Sequence, residues 1–232
     1  MREIVLDTET TGLKPAEGHR IVEIGAVELW HRVPTGKTYH QYINPQRPMP
    51  SEAYAVHGIG DDMLADKPVF TDIVAAFDDF IGDAPLVIHN ADFDMGFLNA
   101  EFEWAGRATL PSARAIDTIA IARRKFPGSP VSLDALCRRF GIDLSIREKH
   151  GALLDAQILA EVYLELIGGR QPDLVLEQRD TNRTLQDQIG WRPKPRPTQL
   201  PSRLTEGEAR AHATFVHDMG EGALWARFEP SE

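Results

Sequence analysis

Ile4-Val5-Leu6-Asp7-Thr8-Glu9-Thr10-Thr11-Gly12 is the stretch on which the fold and the chemistry of this 232-residue chain turn. An apolar run opens it, the turn signal Thr10-Thr11-Gly12 closes it, and two acids stand between them, two residues apart. Side chains alternate faces along a strand, so Asp7 and Glu9 leave one face together. Neighbouring ionised carboxylates repel, and the usual resolutions are a shared proton or a bound hard cation. Asp and Thr also end strands and open turns, so the pattern alone leaves a structural reading beside the metal one.

Working outward, Ile21 to Trp30 and Tyr39 to Ile43 read as further strands, with residues 12–19 and Pro34-Thr35-Gly36 as the turns of an antiparallel meander. From Ser51 the pattern becomes helical, and Phe70, Val74, Phe77 and Ile81 keep helical spacing up to Gly82. A short apolar strand, Leu86-Val87-Ile88, follows. Helices are expected at about Asp92 to Trp104, Asp117 to Phe126, Ser132 to Phe140 and Ala152 to Ile167. Strands first and then alternating strand and helix predict an α/β fold, a mixed sheet flanked by helices.

Hydrophobic content of 42% and charged content of 26% are those of a globular protein with a full core. No run is apolar enough to span a membrane, the start Met1-Arg2-Glu3 lacks signal-peptide features, and one cysteine permits no intrachain disulfide. These features are read as cytoplasmic. The net charge of -10 argues against tight nonspecific binding to a nucleic-acid backbone. It leaves nucleic acid open as a substrate, because divalent ions held by clustered acids make a site locally positive on an acidic body. Such an enzyme would rely on a partner to hold its substrate.

After Gly168-Gly169 the texture changes, and the prolines from Trp191 to Pro201 mark a linker without regular helix or central strand. Beyond it, Thr205-Glu-Gly-Glu208 fits a capping box opening a short helix to about His217, and Gly220 to Phe228 is expected to form a turn and strand. So small a unit is expected to order by docking on a partner.

Three further groups carry chemistry. Asp155 interrupts the apolar stripe Ala152, Leu159, Val162 and Leu166, and a buried carboxylate needs pairing or coordination. His150 stands five residues before it, next to Gly151, with the near-neutral basicity of a general base. In His89-Asn90-Ala91-Asp92-Phe93-Asp94, Asp94 is a ligand candidate and Asp92 a candidate helix cap, with spacing alone unable to rank them. Asp117 reads as a structural cap and Cys137 as a small core residue.

Together these motifs resemble the DEDDh family of 3′-to-5′ exonucleases in its replicative proofreading branch. The first motif is matched by Val5-Leu6-Asp7-Thr8-Glu9-Thr10-Thr11-Gly12, the second by His89 to Asp94, and the third by His150-Gly151-Ala152-Leu153-Leu154-Asp155-Ala156. The similarity runs from about Ile4 to Gly169 and includes Ile24-Gly25-Ala26-Val27, Val56-His57-Gly58-Ile59 and Ser132 to Cys137. It implies a ribonuclease H-like fold with a five-stranded mixed sheet. It implies Asp7, Glu9, Asp94 and Asp155 as ligands of two Mg2+ or Mn2+ ions, roughly 3.5 to 4 Å apart at the scissile phosphate. The resemblance thereby selects Asp94 over Asp92, and it also implies His150 as the base and a nucleoside 5′-monophosphate as product. Leu13 and Phe93 would stack on the terminal base, and Thr8, His57 and Asn90 would contact the terminal nucleotide of a single-stranded DNA 3′ end.

Gln171-Pro-Asp-Leu174-Val-Leu176 resembles the peptide by which such exonucleases bind the sliding clamp, and Gln186 to Trp191 is a second candidate. The tail, with Phe215, Leu224, Trp225 and Phe228, would bind the polymerase catalytic subunit. The expected organisation is therefore 1–169 exonuclease domain, 170–202 clamp segment and linker, and 203–232 docking tail. Two other readings use the same residues: a nuclease trimming RNA ends or short oligonucleotides, and a noncatalytic scaffold joining clamp to polymerase.

Overall fold

The alternation around Val5 decides how the layers stack in the computed structural model, which describes residues 1–145, 150–168 and 204–220. The apolar run lies within strand β1 (Arg2–Thr10), where Ile4 and Leu6 face one side and Val5 the other. Strands β2 (Ile21–Trp30) and β3 (Val33–Tyr42) continue from it antiparallel, while β4 (Leu86–Ile88) and β5 (Ala115–Asp117) lie parallel on its other edge. The order β3-β2-β1-β4-β5 makes the expected five-stranded mixed sheet.

Helices α1 (Ser51–His57), α2 (Asp61–Leu64) and α3 (Phe70–Ile81) follow β3. Helix α4 (Ala91–Trp104) follows β4, and α5 (Thr118–Lys125), α6 (Leu133–Phe140) and α7 (Ala152–Leu166) come after β5. Ile4 and Leu6 pack with Phe70 and Phe77 of α3 and with Phe97 and Phe102 of α4. On the opposite face Val5, Val27 and Val87 meet Ala156, Leu159 and Tyr163 of α7, whose outer side packs on α5 and α6 around Leu136 and the buried Cys137. Burying each of these large apolar side chains contributes about 1.5 to 3 kcal/mol.

Two local readings need correcting. Pro34-Thr35-Gly36 is part of β3, and the reversal is made by His31 and Arg32, whose φ values of 50° and 67° give the two left-handed residues of a tight hairpin. Pro34 is tolerated because β3 is an edge strand and its missing donor faces no neighbour. Asp92 caps nothing: Asn90 is the N-cap of α4, and Asp92 is exposed in the first turn. Strand β5 went unread because three residues carry no periodicity, whereas Asp117 does cap α5, accepting from the Ile119 amide.

The chain divides into two compact units, Met1–Val175 and Leu176–Glu232. In the second, α8 (Glu206–Asp218) opens on the expected capping box, Thr205 accepting from the Glu208 amide and Glu208 reaching back to the Thr205 amide. Phe215 on this helix is exposed. The clamp-peptide residues Gln171, Leu174 and Leu176, the segment 186–191, and Leu224, Trp225 and Phe228 lie outside the described residues. Among the described residues no helix is long and apolar enough to cross a membrane.

Candidate active site

Strand β1 runs parallel to β4 and continues past its carboxyl end to Thr10, so Asp7 to Thr10 border the crevice where loops and helix starts converge. Glu9 projects from the end of β1 on the face covered by α7, and Asp155 comes from the first turn of α7. Their carboxylate oxygens and a ring nitrogen of His150 all lie within 4.8 Å of one another. Glu9 and Asp155 are buried, and His150, half-exposed at the rim, sets its Nδ1 3.2 Å from Asp155 Oδ2. Asp7 lies two residues before Glu9 on the same face, partly buried.

Asp94 lies on the other side of the sheet, and neither it nor Asp7 belongs to the group that meets within 4.8 Å. Thr8 points away from Asp7 and Glu9, and its hydroxyl donates to Asp94 Oδ1 at 2.7 Å. Burial pushes the Asp94 carboxyl up to about 7 from 3.8, against the opposing pull of that hydrogen bond and of backbone donors. Ionising it without a counter-charge is therefore costly. His89, just past β4, has its basicity lowered by burial and sets Nδ1 2.9 Å from the Thr118 hydroxyl, which ties β4 to α5.

A cleft of about 480 Å³ opens beside Glu9. Of the residues expected to touch a nucleotide, Thr8, Leu13, His57 and Phe93 line it, together with Val56 and His19. Leu13 is 77% exposed at its mouth and Phe93 leans on Phe97, so both present apolar surface. His57 ends α1 and accepts the Ile59 amide on Nδ1 at 3.0 Å. At Gly12 a Cβ would meet the His19 ring, so any larger residue there would displace that side chain. Asn90 is not among the lining residues; it is exposed, in a left-handed conformation, with its amide donating to Asp117.

Sequence reasoning passed over Glu23 and His40 and gave no role to Gly25, which it met only within Ile24-Gly25-Ala26-Val27. Glu23 is buried in β2 directly across from Glu9, and it accepts the Ala152 amide on Oε2 and approaches His40 Nε2 with Oε1. The available signal was an acid inside the otherwise apolar run Ile21-Val22-Glu23-Ile24.

Comparison with known proteins places this arrangement. A family model described as an exonuclease matches residues 4–163. The DNA polymerase III epsilon subunit of Rickettsia felis is 49% identical, over 93% of this chain and 96% of its own length. That of Escherichia coli K12 is 45% identical, over 97% of each. The chain belongs to the DNA polymerase III epsilon-subunit family. It is thus a 3′-to-5′ exonuclease. Among solved structures, exonuclease X in complex with 5′-overhanging duplex DNA matches with a TM-score of 0.56 and 28% identity, over 71% of this chain and 90% of that one. The nuclease domain of 3′hExo, a DEDDh family member bound to rAMP, matches in fold with a TM-score of 0.62 at 20% identity, over 72% and 91%.

Epsilon-family membership implies dependence on divalent metal, and the donor set fits such an ion. The clustered donors are mostly carboxylate oxygens, the ligands of hard divalent cations. The cost of ionising buried Asp94 is of the kind a nearby cation offsets.

Proposed function

We propose that this chain removes mismatched 3′-terminal nucleotides from DNA during replication, with Asp7, Glu9, Asp94 and Asp155 holding two Mg2+ or Mn2+ ions. The observation that carries the site assignment is the meeting of Glu9, Asp155 and His150 within 4.8 Å, since about 140 residues separate the first from the others. When bound, such ions neutralise phosphate charge and lower the pKa of coordinated water.

The protein's own residues supply the rest. The apolar sides of Leu13 and Phe93 hold the terminal base by stacking, which accepts any base, while Thr8 and His57, which line the same cleft, orient the nucleotide. A frayed end enters more readily than a paired one, because less stacking is lost, and this favours a mismatch. His150, half-exposed and oriented by Asp155, takes the proton from the attacking water. The water oxygen bonds to phosphorus, the bond to the 3′ oxygen of the preceding nucleotide breaks with its electron pair, that oxygen takes a proton from solvent to become the new 3′ hydroxyl of the strand, and a nucleoside 5′-monophosphate leaves.

The acidic body calls for partners that keep DNA in place. Gln171, Leu174 and Leu176 would engage the sliding clamp, and the tail from residue 203 the catalytic alpha subunit of DNA polymerase III, in the cytoplasm. The exposed Phe215 on α8 supports the second contact. The test is monophosphate release from a 3′-mismatched DNA primer with Mg2+ and with chelator, beside the same sequence in RNA. Metal-dependent release from DNA, abolished in Asp7→Ala, is expected; release that survives this substitution refutes the site, and preference for RNA refutes the substrate.

A further inference from the structure

Helix α7 carries Asp155 and follows His150, yet it has no cap of its own. Its N-cap is Gly151, which offers no side chain, so the first amides must find acceptors elsewhere. The Ala152 amide finds one 129 residues away in sequence, donating to Glu23 Oε2 at 3.0 Å. Glu23 is 3% exposed, and its other oxygen lies 2.7 Å from Nε2 of His40 on the edge strand. A carboxylate at a helix N-terminus also meets the positive end of the helix dipole. Two positions along β2, Gly25 lets α7 approach: a Cβ there would fall on the Ala152 and Leu153 backbone. Glu23 and Gly25 sit opposite Glu9 and Asp7 of β1.

We propose that Glu23, held by His40, is a positioning residue that caps α7 from across the sheet and thereby sets His150 and Asp155 against Glu9. The two acids Glu9 and Glu23 face one another on neighbouring strands, an arrangement unfavourable unless one of them is engaged elsewhere. The Ala152 amide and His40 engage Glu23, which leaves Glu9 to the site. The proposal rests on the reading of His150 and Asp155 as site residues.

The test uses the full-length protein with a 3′-mismatched DNA primer and Mg2+, alongside amide hydrogen exchange at Ala152. Glu23→Ala is expected to lower kcat by a few tens-fold, since displacements of about 1 Å cost up to a hundredfold, with KM within about twofold. Ala152 exchange should rise at least about tenfold, the amide having lost its acceptor. Glu23→Gln keeps an acceptor oxygen in the same place and should restore kcat to within about threefold of the parent. His40→Ala changes a partly exposed position on the edge strand, and far-ultraviolet circular dichroism checks that the variant is folded; it should lower kcat by roughly threefold to tenfold with KM unchanged.

Unchanged Ala152 exchange in Glu23→Ala, or a Gln variant as impaired as the Ala variant, overturns the proposal. So does a His40→Ala variant with parental kcat and exchange. A parent protein without metal-dependent release would defeat the site reading instead, while the exchange comparison would still judge the cap.

Discussion

Replacing Asp94 by Asn should make the metal-free protein more stable while destroying its activity. Burial raises this carboxyl to about 7 from 3.8, so between these values the folded chain holds a proton that the unfolded chain has lost. Stability therefore falls as pH rises through that window, and the loss is complete above about pH 7. At about 1.4 kcal/mol per pH unit, the penalty grows from about 1 to 2 kcal/mol near pH 5 to about 4 kcal/mol near pH 7.5. Asn cannot ionise, and its carbonyl oxygen keeps the hydrogen bond from Thr8. Urea unfolding in chelator, followed by tryptophan fluorescence at a series of pH values, measures the difference directly. The advantage of Asp94→Asn over the parent should widen by about 2 to 3 kcal/mol from about pH 5 to pH 7.5. A difference that stays flat with pH would show that Asp94 is not held at a desolvation cost, and the argument that its charge is kept for a cation would fail.

His150→Ala should slow release at neutral pH by about a hundredfold, as expected for loss of a general base, with Mn2+ affinity by calorimetry little changed; lost affinity would make His150 a ligand. Thr8→Val removes the hydroxyl that stabilises ionised Asp94, so Mn2+ should bind about tenfold more weakly, and an unchanged affinity would contradict that role. Arg20 holds Glu101, 1% exposed, through Nε and Nη2 at 2.7 and 2.6 Å. Arg20→Ala leaves that carboxylate buried and should cost about 3 kcal/mol in urea unfolding, where a loss under about 1 kcal/mol would contradict it. Gly25→Ala, which forces α7 away from β2, should abolish activity while far-ultraviolet circular dichroism still reports a folded chain, and parental activity would show the close approach to be dispensable.

Much of the architecture could be read from the chain because its periodicities are long and clean. The helix with Phe70, Val74, Phe77 and Ile81 appears where the spacing places it, and Thr205 and Glu208 form their capping box. The hairpin at His31-Arg32 was hidden because neither residue is the Gly or Asn that such turns usually carry, while Pro34-Thr35-Gly36 imitates a turn inside an edge strand. Asp155 drew notice as an acid in an apolar stripe and proves to be buried beside His150. Spacing alone could not rank Asp94 over Asp92; burial separates them, one sealed against Thr8 and the other in solvent. Glu23 escaped because its meaning lies in a hydrogen bond to a residue far along the chain, which no local pattern records.

Crystals soaked in Mn2+ and measured for anomalous scattering test the central claim most directly. The expected result is anomalous density between the carboxylates of Glu9 and Asp155, with Asp7 among the ligands. Ions bound elsewhere, with those acids making no contact to metal, would contradict it.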